Sequence, residues 1–150
     1  MLQFIAVLVI APAPTIDRDE YGVPHIKAST IEQAFFEAGY AVAQDRLWQM
    51  ENSRRVARGR MAEAFGPNFA ASDREVLAQA YTDQELDEQI ARGLDARSQT
   101  ILREYVRGVN AWIGEATAKN LLPPGYSQNG LKPEPWTERD SAAITIRLFQ

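Results

Sequence analysis

Cysteine is missing from the chain altogether, and histidine occurs once, at His25. The first absence removes disulfides, thiolate metal sites and cysteine nucleophiles together. The second excludes a histidine-rich metal site within the chain. The glycines form no phosphate-cradling loop, and there is no G-x-S-x-G elbow. Positive charge is in deficit: 16 Lys and Arg stand against 20 Asp and Glu, a net charge of −4. That balance argues against nucleic acid as a partner. No apolar run approaches the about 20 residues that span a bilayer, so no stable membrane insertion is expected. The run from Phe4 to Ala11 has the length of a signal-peptide core, with the small Ala11 and Ala13 in or just after it, but no Lys or Arg precedes it. It suits a buried first strand equally well. Residues 1–14 are therefore a candidate leader remnant, and 15–150 the domain proper.

What is present suffices to fold. The chain is 45% hydrophobic and 24% charged over 150 residues, enough for one domain or part of a larger one. Thr15–Arg18 and Val23–Ala28 are short strand-like runs. Asp19-Glu20-Tyr21-Gly22 turns the chain between them, which predicts a hairpin. Pro24 cannot donate to a ladder, so the second strand is an edge or starts there. Ser29 and Thr30 both head capping boxes, with Glu32 and Gln33 respectively. Phe36, Tyr40, Ala43, Leu47 and Met50 then form one continuous helical stripe, and the helix is expected to reach about Val56. A short helical piece, Arg60–Phe65, stops at Gly66-Pro67. Thr82-x-x-Glu85 caps a third helix that ends near Gly93. Asp95 caps a fourth, with Ile101, Leu102, Tyr105, Val109, Trp112 and Ile113 on its apolar side. A long loop follows with four of the eight prolines, and Thr137-x-x-Asp140 opens a last helix that meets no stop signal before Gln150. The chain thus reads as a fragment or as one subunit of something larger.

Two charged features invite a chemical interpretation. Asp45 and Arg46 interrupt an apolar run in "GYAVAQDRLWQMENSRR". Adjacent helical residues point about 100° apart, so the two do not form a compact dyad. The simpler expectation is that each finds a partner elsewhere in the fold. Arg54, Arg55, Arg58 and Arg60 follow, with Glu51 at the i,i+3 and i,i+4 spacings and Glu63 nearby. Charges compensated in this way suit a solvated or inter-element face better than a phosphate-tracking one. His25 has no acid or serine placed beside it by sequence. Composition and spacing alone stop at a mostly helical domain with an N-terminal hairpin.

"RDEYGVPHIKA" (Arg18–Ala28) followed by "GYAVAQDRLWQMENSRRVARGRMAEAFG" (Gly39–Gly66) resembles the start of the penicillin acylase family of N-terminal nucleophile hydrolases. "VNAWI", "LLPPGY" and "KPEPWTERD" (Lys132–Asp140) resemble later parts of the same segment, in the same order. The resemblance implies an α+β class: a hairpin and helices forming a piece of a four-layer αββα sandwich. It further implies a partner, a β chain whose N-terminal serine attacks an amide. The serine's own α-amine, with a pKa near ~8, acts as base. No Gly-Ser, Gly-Thr or Gly-Cys junction occurs in this chain, so no catalytic residue and no self-cleavage site are assigned to it.

The segment matches the front of the α chain. Phe149 falls at the first acyl-pocket position that the resemblance implies, and a core role in its helix is the alternative. No metal ligand and no cofactor are assigned here, although calcium is an expectation for some complete enzymes. Substrates would be small amides, of the β-lactam or N-acyl homoserine lactone class, and the location periplasmic or secreted. The other functional class that the residues allow is a non-catalytic helical interaction module or inactive truncated fragment. Nucleic-acid binding through Arg54–Arg60 is a distant third.

Overall fold

The computed structural model describes residues 16–149. The candidate leader, 1–14, and Gln150 lie outside the described residues. The hairpin is present but shorter than expected. Strand β1 is Asp17–Arg18 and β2 is Pro24–His25, paired antiparallel with Asp17 opposite His25 and Arg18 opposite Pro24. Local chemistry limits it. The Asp19 carboxylate accepts the Tyr21 and Val23 amides at 3.0 and 2.9 Å, so the turn is held by a side chain. Gly22 takes φ +78°, the left-handed region that a Cβ disfavours. Pro24 opens β2, as its missing N–H requires.

Helix α1 spans Ile31–Ala57. Thr30 is its cap and accepts the Gln33 amide at 3.1 Å, while Gln33 accepts the Ser29 amide at 3.1 Å, so both candidate cap residues take part. The helix is kinked within the expected stripe: Arg46 leaves helical geometry at φ −132°, ψ 15°. Tyr40 and Ala43 before the kink, and Leu47 and Met50 after it, are nevertheless buried in one core cluster. The short helix α2, Met61–Phe65, ends at Gly66 with φ +91°. A 3-10 turn at Pro67–Phe69 and helix α3, Ala70–Leu77, fill a stretch for which the sequence carried no clear signal. Of α3, only Asp73 is buried, and its carboxylate accepts the Met61 and Ala62 amides at 3.0 and 2.7 Å, capping α2 from outside.

Helices α4 (Asp83–Gly93) and α7 (Glu138–Leu148) each start with a complete capping box, at Thr82/Glu85 and Thr137/Asp140. Helix α5 runs Ala96–Ala118 behind its Asp95 cap. The principal packing is α1 on α5, and two glycines permit it. A Cβ on Gly39 would sit 2.1 Å from the Tyr105 carbonyl oxygen, and one on Gly108 would sit 1.9 Å from that of Phe36. The two backbones therefore touch at reciprocal positions. Around this crossing lie Tyr40, Leu47, Val109, Trp112, Tyr126 and Trp136.

The proline-rich loop folds onto that core through a short helix, α6 (Pro124–Gln128). Gly125 lies flat against the Trp48 ring, where a Cβ would come within 2.2 Å. Asn110 exchanges two bonds with the Trp136 backbone at 2.8 and 2.7 Å. A second cluster, Ala57, Leu86 and Ala143, joins α1, α4 and α7. Among the described residues the sheet is two-stranded, and no helix is long and apolar enough to cross a membrane.

Candidate functional site: a buried charge cluster beside an open groove

The charged residues singled out in the sequence divide into three groups. Asp45 has the partner expected of it. Arg18, on β1, donates to both of its carboxylate oxygens at 2.8 and 3.1 Å, and also to Gln44 Oε1 and the Gly22 carbonyl at 2.7 and 2.8 Å. One guanidinium thus ties the hairpin, its turn and α1 together. Arg46 does not follow suit. It is exposed and makes no side-chain hydrogen bond or ion pair among the described residues, so the expectation of a partner holds for one member of the pair only.

Of the arginines after it, Arg54 and Arg55 are withdrawn from solvent, whereas Arg58 and Arg60 keep 23% and 34% of their side-chain surface. Arg54 and Arg55 are each 3% exposed, and Glu51 is 2% exposed. Glu51 takes one arginine on each carboxylate oxygen: Arg54 through Nη2, and Arg55 through Nε at 2.6 Å. Isolated charges at this depth would be prohibitive, so the three must be satisfied jointly. Arg54 also reaches the next segment. Its Nη1 donates to the Pro135 carbonyl at 3.1 Å and lies 3.6 Å from the Asp140 carboxylate, and its guanidinium stacks 5.3 Å from the Trp136 ring centroid. Arg55 extends to Glu63 at 3.3 Å, and Arg60 bridges Glu63 and Glu134. The face is an inter-element one, as expected, buried at Arg54 and Arg55 and part-exposed at Arg58 and Arg60. Tyr126, buried beside this cluster, has its phenol pushed up by burial and by the Glu51 charge.

His25 does have a neighbouring acid: its Nε2 is 3.0 Å from Asp19 Oδ2, an exposed contact across the turn. This hydrogen bond, with the backbone bond from Val23, holds the Asp19 carboxyl below its ordinary range. Among the described residues, His25 hydrogen-bonds no other side chain. Among the described residues, no group of three His, Cys, Asp or Glu side chains is placed to hold a metal ion.

Of the hollows beside α7, two are roomy enough for more than a water molecule. One, of about 570 Å³, is an open groove floored by Met50, Tyr105, Trp136 and Ile144 and edged by Arg46, Gln49 and Ser53. The other, of about 330 Å³, is lined chiefly by Ile90, Leu94, Ile101, Leu102 and Ile146 from α4, α5 and α7. Phe149 lines neither. It follows the last turn of α7 and is 87% exposed among the described residues.

Fold and site together define a class of mostly helical segment whose helices are joined by buried ion pairs, with open hollows beside them. Comparison with known proteins gives this class a family. The penicillin amidase family model matches residues 13–149, and the chain belongs to that family. It is 39% identical over 133 residues to penicillin G acylase of Escherichia coli, covering 87% of this chain and 16% of that protein. It is 36% identical over 139 residues to the acyl-homoserine lactone acylase QuiP of Pseudomonas aeruginosa, covering 93% and 16%. A solved structure of the thermostable penicillin G acylase from Alcaligenes faecalis matches with a TM-score of 0.79 and 35% identity, over 88% of this chain and 69% of that one. The chain therefore spans about a sixth of the length of the curated relatives it matches.

Proposed function

We propose that this chain is the front part of the α subunit of an amide-hydrolysing acylase. In this role it supplies scaffold and part of an acyl pocket, and the attacking serine is the first residue of a separate β chain. The observation that carries the proposal is the family match over 13–149, whose motif-bearing stretches interlock in space. Arg18 of the first stretch holds Asp45 of the second. Arg54 of the second holds Pro135 of the last, Asn110 holds Trp136, and Trp48 packs on Gly125. The residues most suggestive of chemistry are thus used to join segments, which suits a chain that braces chemistry performed elsewhere. The length ratios favour division into chains as well. This stretch fills 69% of the solved relative's chain but only 16% of the curated relatives, so that solved chain is far shorter than they are.

The reaction would transfer the acyl group of a small amide to the serine and then to water. Penicillins and N-acyl homoserine lactones are the two substrate classes that the relatives' names suggest for this chain. A periplasmic or secreted location, a calcium requirement of the complete enzyme and a pocket role for Phe149 belong to the same proposal. The test is to express the natural gene that contains this sequence and assay the product on both amide classes. Hydrolysis of either, lost when the β-chain serine is replaced by alanine, is the expected result. A correctly folded full-length product inert towards both classes would instead favour a non-catalytic helical module.

A further inference from the structure

Within the acylase-like stretch Gly39–Gly66, Arg46 is the charged residue with no side-chain partner among the described residues, whereas Asp45, Glu51, Arg54, Arg55, Arg58, Arg60 and Glu63 are all paired. Its neighbour Asp45 is fully engaged by Arg18, so the local acid cannot neutralise it. The kink in α1 falls at Arg46 itself. Arg46 is the only charged residue lining the groove of about 570 Å³. Gln49 and Ser53 on the same edge make no side-chain hydrogen bonds among the described residues. Beneath them the floor is apolar, with Trp136 5% and Met50 9% exposed, and both are anchored in the core. An apolar floor with a few polar groups at its edge is the form of a recognition surface. A lone cation there, on a chain whose net charge is −4, calls for an anionic partner group.

We infer that this groove receives a polypeptide segment from the remainder of the acylase, one that presents an Asp or Glu carboxylate to Arg46 and an adjacent aromatic or aliphatic side chain to Trp136 and Met50. A polypeptide is favoured over a small molecule because the hollow is open rather than enclosed, and because this chain spans only 16% of the relatives' length, leaving most of such a protein to cover it. The inference rests on the acylase reading for the source of the segment.

Two measurements on the natural full-length product test it. The first is phenylglyoxal modification of arginine, followed at Arg46 by mass spectrometry in native and urea-denatured protein. Arg46 is expected to react at least tenfold more slowly in the native protein; equal rates overturn the inference. So does protection that disappears on dilution to the monomer, which would mark a second copy in the groove, or on dialysis, which would mark a small amphiphile. The second compares Arg46→Glu with Arg46→Lys. The reversed charge is expected to cut the yield of assembled product at least tenfold, while lysine retains most of it. Wild-type assembly of Arg46→Glu overturns the inference. Amidase activity is measured in parallel, so the two ideas fail separately. A protected Arg46 in an inactive product removes only the acylase reading, and a reactive Arg46 in an active enzyme removes only the groove.

Discussion

The ion pairs of this chain differ in weight according to where they sit. Asp45 and Arg18 keep 38% and 29% of their side-chain surface, so solvent screens their attraction and the pair contributes only about 0.2–1 kcal/mol. Glu51 is 2% exposed and is shared between two buried arginines. Replacing it leaves positive charge in the interior, where an unpaired partner costs about 3–5 kcal/mol. Glu51→Ala is therefore expected to lower unfolding stability by several times the loss in Asp45→Ala, measured as a shift in the urea midpoint. Comparable shifts would mean that the buried triad is relieved by water or by rearrangement towards Asp140. The sequence announced this pairing, because Glu51, Arg54 and Arg55 stand at helical salt-bridge spacings. It did not announce the burial. Spacing fixes who meets on one helix, whereas depth depends on what Trp136 and the loop before it place on top.

Among the elements, the α1–α5 crossing is decided by two glycines that look alike in sequence to a third. Gly108 and Gly114 both lie within α5. A Cβ on Gly108 would meet the Phe36 carbonyl at 1.9 Å, and one on Gly114 would meet nothing within 4 Å. Gly108→Ala must push the helices apart and is expected to cost about 3 kcal/mol or more. Gly114→Ala only removes the glycine's helix penalty and is expected to stabilise by about 0.5–1 kcal/mol. Opposite signs in thermal or urea unfolding check the pair, and a neutral Gly108→Ala would show that the crossing is loosely packed. No local pattern distinguishes these glycines, since the partner of Gly108 lies near residue 36. The caps, by contrast, were legible. Thr30, Thr82, Asp95 and Thr137 each satisfy backbone donors within three residues of themselves. The same locality explains what was not anticipated. Helix α3 buries little beyond Asp73, so its hydrophobic pattern is faint. The kink at Arg46 leaves the apolar spacing around it intact, so the stripe in the sequence appears unbroken.

For the whole molecule, the acid side of the stability profile follows from the carboxylates that clasp helices together. Arg139 holds Asp87 at 2.7 Å and Asp83 at 3.0 Å, joining α7 to α4, and Arg58 joins α1 to the same Asp83. Hydrogen bonding to Arg139 lowers the Asp87 carboxyl, hydrogen bonding to Arg58 lowers that of Asp83, and Arg60 does the same for Glu63 and Glu134. A carboxyl depressed in the folded state stabilises above its unfolded pKa, about 3.9 for Asp and 4.3 for Glu, and that support is lost as pH falls through the lower folded value. The buried phenols act at the other end. Burial raises Tyr40 and Tyr126, so their support is complete below about 10 and declines as pH climbs through the raised folded values. Stability should therefore be level between about pH 5 and 9, and fall on both sides. The acid limb separates the clasp from the core. In Arg139→Gln, Asp87 loses the partner that depresses it and Asp83 loses one of two, so less stability depends on their ionisation. The urea midpoint should be lower than wild type at pH 7, with the two curves converging as pH approaches 3. Because these groups are largely exposed, about 0.5 M salt should shrink the difference at pH 7. Parallel curves from pH 7 to pH 3 would show that the α4–α7 clasp carries none of the acid sensitivity, and would leave it to Glu63 and Glu134.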